Sequence, residues 1–160
     1  MTVRNMKPSD WENVSRIYSE GIATGIATFE TQTPDYDQWD KAHTEHCRLI
    51  AEQVMGWAAL SPVSSRCVYG GVGEVSVYIS NKSRGKGIGK LLMEQLIRES
   101  EEAGYWTIQS GIFPENTASI KLHEKMGFRY IGKRERVGKI HGVWKDNLLF
   151  EKRSDKVGMD

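Results

Sequence analysis

The sequence predicts one mixed α/β (α+β) domain with a single, largely antiparallel sheet flanked by helices. Three observations predict it. Segments with apolar residues at helical spacing alternate with β-branched segments of period two. Their order is β-α-α-β-β-β, a glycine-rich loop, then α-β-α-β-β. One unit, from residue 73 to 113, reads as strand–loop–helix–strand, the crossover that a parallel pair requires.

The elements follow in order. "TVRNM" is a short first strand, and Pro8, Ser9 and Asp10 start a helix on which Trp11, Val14, Ile17 and Tyr18 recur at helical spacing. Residues 21–33, "GIATGIATFETQT", lack a helical period and read as a loop over a site. Thr33 and Pro34 are expected to cap a second helix running to about Cys47. "RLIAEQVMGWAALSPV" reads as two strands with a tight turn near Gln53, and "GEVSVYIS" as a third. Ile88, Leu91, Leu92 and Leu96 define a long helix ended by Gly104. "YWTIQSGIF" is a strand, a short helix runs to Met126 with Gly127 as its stop, and "FRYIGKRERVG" and "VWKDNLLFEK" are closing strands. The domain is expected to span residues 1–153, with a loose polar tail at 154–160.

The chain of 160 residues is 39% hydrophobic and carries five tryptophans, enough for a core. A net charge of +1 gives no global attraction to nucleic acid or membrane, and neither partner is expected. "MTVRNMKPSDW" has no apolar signal region, and the apolar run from Val54 to Val63 is too short to span a bilayer. Cys47 and Cys67 lack metal or disulfide spacing, so no metal is expected. A soluble cytoplasmic protein is the expectation.

"SRGKGIGKLL" carries the chemistry. A strand ends, glycines let the backbone approach a ligand closely, and a helix N-terminus follows with its unpaired N–H groups. Arg84, Lys86 and Lys90 add charge. Together these describe a phosphate or pyrophosphate site. The P-loop pattern fails because Leu91 stands where Ser or Thr is required. The dinucleotide pattern fails from either glycine, reaching Lys90 or Leu92 instead of a third glycine. What fits is [Gln/Arg]-x-x-Gly-x-[Gly/Ala], read as Arg84-Gly85-Lys86-Gly87-Ile88-Gly89.

That pattern resembles the acetyl-CoA pyrophosphate loop of the GNAT N-acetyltransferases, and "NTASIKLHEKMGF" resembles a second element of that superfamily. "IATFETQTP", "GWAALSP", "SRCVY", "GEVSVYIS" and "GKIHGVWKDN" extend the resemblance, from about Val3 to Glu151, to the phosphinothricin and methionine sulfoximine N-acetyltransferases. It implies the GNAT fold, acetyl-CoA as co-substrate, a small-molecule amine acceptor, a detoxification or resistance activity and a homodimer. One departure is the short turn in "LIAEQVMGWAAL", expected to lie on a sheet edge away from the chemistry.

The resemblance also distributes roles. Glu74, five residues after Tyr69, is the implied general base, directly or through a water. His123 is implied as acid toward the leaving thiolate or as a relay with Glu74. Val77, Tyr78 and Ile79 are expected to offer backbone groups to the pantetheine amides. Asn116, Ser119 and Lys125 are expected to contact the cofactor, Asn116 doubling as a helix cap. Phe29, Glu30, Arg66, Val68 and Tyr69 are expected to select the substrate, with Arg66 as a fork for its carboxylate. The alternatives are acetylation of a protein N-terminus or a polyamine, or a CoA-binding module without turnover.

Overall fold

Strands β1 (Val3–Asn5), β2 (Leu49–Ala51), β3 (Gly56–Pro62), β4 (Val72–Ile79), β5 (Thr107–Ile112), β6 (Arg129–Ile140) and β7 (Val143–Arg153) form one sheet. A computed structural model describes every residue from Met1 to Asp160. The spatial order is β1-β2-β3-β4-β5-β7-β6. All neighbours are antiparallel except β4 and β5, as the predicted crossover requires. The helices are α1 (Trp11–Ala23), α2 (Tyr36–Ala42), α3 (Ile88–Glu102) and α4 (Thr117–Lys125).

Side-chain alternation sends each strand's apolar residues to both faces. On one face, Leu49, Leu60, Val75, Ile108 and Phe150 pack with Leu92, Met93 and Leu96 of α3. On the other, Ile50, Trp57 and Ala59 pack with Val14 and Ile17 of α1 and Trp39 of α2. Each large apolar side chain so buried contributes about 1.5–3 kcal/mol. On the α1 face, Tyr78 stacks on Trp57 at 5.0 Å and lies 4.9 Å from Tyr18.

Gly21 is what lets α1 sit this close to β4. A Cβ there would lie 2.6 Å from the Tyr78 ring. Alanine gains about 0.8–1 kcal/mol of helix propensity but overpacking costs about 1–3 kcal/mol. Gly21→Ala should therefore lower Tm, measured by calorimetry; an unchanged or raised Tm would show that the contact is slack.

Four expectations change. α2 is capped by Asp35, not Thr33, and ends at Ala42. Asp35 accepts from Gln38 N at 2.8 Å while the Gln38 side chain accepts from Asp35 N at 3.0 Å. Thr33 has Tyr36 three residues on, which cannot close that box. α1 runs to Ala23, so the loop begins at Thr24 rather than residue 21. The short turn between β2 and β3 is not on an edge, because β1 covers β2, and Met55 O accepts from Ser80 N at 2.9 Å just before the glycine loop. The tail is tied down: Ser154 Oγ donates to Glu101 at 2.6 Å, and Arg153 donates to the carbonyls of Ser154, Val157 and Gly158 at 2.7–2.8 Å.

Candidate active site

The site is a fork in the sheet. β4 and β5 pair only through Val72↔Thr107, Gly73↔Ile108 and Glu74↔Gln109. Beyond Glu74 they part. β3 holds β4 as far as Ile79, and β7 holds β5 through Ile112, so neither strand can follow the other. The β4 edge from Val75 to Ile79 is left without a strand partner on that side. The main-chain groups of Val77, Tyr78 and Ile79 on that edge are therefore open to an extended ligand. Their side chains are committed elsewhere: Val77 and Ile79 to the α3-side core, Tyr78 to the aromatic stack. Burial, with Tyr18 second, holds the Tyr78 phenol above its usual range, so it stays neutral.

A cleft of about 1050 Å³ opens from this fork. One end is the glycine loop. Gly85 and Gly87 have φ of +75° and +79°, values that a side chain resists, and Gly87 is the residue that caps α3. A Cβ at either would meet no protein atom within 4 Å, so the space over the loop is open. The unpaired N–H groups of the first turn of α3 therefore face free volume, a fit for a pyrophosphate. Arg84, Ile88, Gly89 and Lys90 line the same end, whereas Lys86 does not. Gly89 instead admits Leu122 of α4, which would stand 3.2 Å from a Cβ there.

α4 forms the floor. Asn116 Oδ1 caps it, accepting from Ser119 N at 3.2 Å, while both residues and Lys125 line the cleft. His123 also lines it, 3% exposed, its ring edge-on to Phe128 at 4.9 Å. Nδ1 lies 2.7 Å from Ser119 O, and a carbonyl can only accept, so Nδ1 carries the proton. Nε2 is buried with no partner. Burial holds the ring below the ordinary histidine value of 6.5, and the Ser119 bond opposes this only in part. The resting imidazole is neutral, with a bare Nε2.

Glu74 stands where the strands part, exposed and lining the cleft. It shares a sheet face with Tyr78, whereas His123 packs against Phe128 and Phe150 of the α3-side core. The two line one cleft from opposite faces of the sheet.

The expected substrate residues divide. Phe29 lines the cleft, edge-on to Phe113 at 4.7 Å, and Gly138 makes room for it, since a Cβ there would lie 2.7 Å from the ring. Glu30 is exposed beside it, outside the lining. Arg66, Val68 and Tyr69 are also outside the lining. They sit around a 3-10 turn, Val68 and Tyr69 largely exposed and the Arg66 guanidinium 5.7 Å over the Tyr69 ring. The Arg66 guanidinium thus stands over Tyr69 and outside the cleft. Sequence reasoning missed Ser110, Phe113, Arg134, Lys139 and Asn147, all of which line the cleft. The one available signal was an Asn leading directly into the apolar run of "NLLF".

Comparison with known proteins agrees with this geometry. The chain matches the Acetyltransferase (GNAT) family over residues 11–128. It is 30% identical to the phosphinothricin N-acetyltransferase of Alcaligenes faecalis, over 94% of this chain and 81% of that one. It is 29% identical to the L-methionine sulfoximine/L-methionine sulfone acetyltransferase of Salmonella typhimurium, over 98% and 96%. Among solved structures, a ribosomal-protein-alanine N-acetyltransferase from Brucella melitensis superposes with a TM-score of 0.90 at 30% identity, covering 96% and 100%. A phosphinothricin acetyltransferase from Sinorhizobium meliloti in complex with acetyl-CoA gives 0.84 at 27%, covering 99% and 96%. The forked strands, the glycine-capped helix and these matches place the chain in the GNAT family of acetyltransferases.

Proposed function

We propose that this enzyme transfers an acetyl group from acetyl-CoA to the α-amine of a small amino-acid analogue of the phosphinothricin, methionine sulfoximine or methionine sulfone type. The observation that carries the reading is the joint lining of one cleft by Glu74 and His123, at the point where β4 and β5 part. Names of relatives support the acceptor class.

Acetyl-CoA would supply an acyl carbon activated as a thioester. The glycine loop, Arg84 and Lys90 would hold its phosphates, and the open β4 edge its amides. The exposed Glu74 carboxylate takes a proton from the acceptor's ammonium. His123 Nε2, bare in the resting enzyme, takes the second proton released as the amide forms. Once protonated it is an acid, and it would return that proton to the CoA thiolate as the carbon–sulfur bond breaks, so that the thiol leaves. The acid and relay roles are thus successive states of one ring. Phe29 and Phe113 wall the acceptor end. Such an activity would detoxify amino-acid analogues.

Incubation with acetyl-CoA and methionine sulfone should give the N-acetyl product by mass spectrometry; failure to acetylate any α-amino-acid analogue would remove the acceptor assignment. The likeness to a ribosomal-protein-alanine N-acetyltransferase favours a second reading, a peptide N-terminus as acceptor. The loop at residues 24–29 and the β6 residues around Gly138 bound the acceptor end and favour the smaller substrate.

A pH dependence follows. Because His123 titrates below 6.5, it is neutral and competent above that pH and lost as pH falls through its own value. A plot of log kcat/KM against pH should gain an extra unit of slope at a pH under 6.5. His123→Ala should remove that extra slope; its persistence would exclude the ring as the titrating base.

A further inference from the structure

The acceptor end of the cleft holds an amide that the fold does not use. Asn147 stands on β7 and is 8% exposed. Its neighbours Leu148 and Phe150 turn to the α3-side core, so Asn147 faces the other way. That is the face of Glu74, because Glu74 pairs with Gln109 and the Asn147 side chain lies over Gly111, two residues further on. A Cβ at Gly111 would lie 2.4 Å from Asn147 Oδ1, so only glycine allows the amide to lean there, toward β4. No side-chain hydrogen bond within the chain engages this amide, although Asp146 beside it accepts from Arg136 N at 2.8 Å. Its polar atoms are not fully enclosed and reach the cleft surface, where a ligand can satisfy them.

A second group adjoins it. Arg134 pairs with Asn147 across the β6–β7 ladder, lines the same cleft and forms no ion pair. Its neighbour Lys133 lies 4.0 Å from Asp146, and Lys139 lies over Trp144 at 4.9 Å, so Arg134 is the guanidinium left free at this end. An amide NH₂ and a guanidinium both donate, and the anionic acceptor common to all three proposed analogues is the α-carboxylate. The offset from Glu74 to Gly111 is two residues along the strand, roughly 7 Å, and one strand across, about 4.8 Å where the strands pair. An amine with its α-carboxylate, hydrogen-bonded at each end, spans that offset.

We propose that Asn147 and Arg134 bind the α-carboxylate of the acceptor and so restrict turnover to amines with a carboxylate on the adjacent carbon. The proposal rests on the acetyl-transfer reading above and assigns to these two residues the part expected of Arg66. Asn147 is then a specificity-determining residue and Arg134 its charged partner.

The test is steady-state kinetics on methionine sulfone and on the amine that lacks its carboxylate, with Asn147→Asp, Asn147→Leu and Arg134→Gln. Asn147→Asp keeps the shape and puts a negative charge against the carboxylate; Asn147→Leu keeps the volume and removes the donors. All three should raise KM for the amino acid by about tenfold or more, the loss of a hydrogen bond to a charged group. KM for acetyl-CoA should stay within about twofold and serves as the check on folding. The carboxylate-free amine should be insensitive to Asn147→Leu and no worse with Asn147→Asp. An unchanged or lower KM for the amino acid with Asn147→Asp, or equal losses on both acceptors, would overturn the proposal. If the wild-type enzyme acetylates no carboxylate-bearing amine, the acceptor reading itself has failed and the proposal with it, an outcome visible before any variant is made.

Discussion

Gly87→Asp should weaken acetyl-CoA binding by about 100-fold or more, roughly 2.8 kcal/mol, while the protein stays folded. The residue caps α3 with a φ of +79°, and a Cβ there meets no protein atom within 4 Å. The cost to the fold is therefore conformational, about 1–2 kcal/mol for a side chain in the left-handed region. An aspartate at a helix cap recovers part of this by hydrogen bonding and by facing the positive end of the helix. For the ligand the same carboxylate is ruinous, because it fills the open space and opposes a pyrophosphate where the N–H groups would receive one. Calorimetric titration with acetyl-CoA and a melting curve separate the two effects. Binding within tenfold of wild type would refute the loop assignment. Gly89→Ala makes a useful contrast, since its methyl would press on Leu122 and strain helix packing.

Glu74→Gln and His123→Ala should each lower kcat by about 10²–10⁴, the range for removing a positioned acid or base, with acetyl-CoA binding retained. The two residues differ in what else they hold. Glu74 is exposed and its loss should leave stability unchanged. His123 is 3% exposed against Phe128, so its removal leaves a cavity and should lower Tm as well. Two proton transfers in one sequence of steps predict a double variant little worse than the slower single variant. Unchanged turnover in both single variants would dismiss this pair from the chemistry.

Much of the site was legible because backbone geometry leaves a record in glycine. Gly85 and Gly87 occupy left-handed conformations that other residues avoid, so their spacing reports the loop's shape directly. Period-two alternation gave β4, and with it the place of Glu74 at the fork. Helical spacing and Gly127 gave α4, and so His123. What was not legible depends on distant register. Arg66 and Tyr69 lie in a connection without periodicity, and nothing local says whether they face the cleft or each other. Asn147 reaches the site only because β7 pairs with β5 and Gly111 stands opposite its lean. Ser154 looked like the start of a polar tail because its partner, Glu101, lies on a helix more than fifty residues earlier.

The most direct measurement is thiol release from acetyl-CoA by the purified protein with a panel of acceptors: phosphinothricin, methionine sulfoximine, methionine sulfone, a polyamine and an alanine-starting peptide. The predicted result is release that depends on the amino-acid analogues and matches the N-acetyl product formed, with the polyamine and the peptide near background. Release with only the polyamine or the peptide, or none with any acceptor at micromolar enzyme, would contradict it.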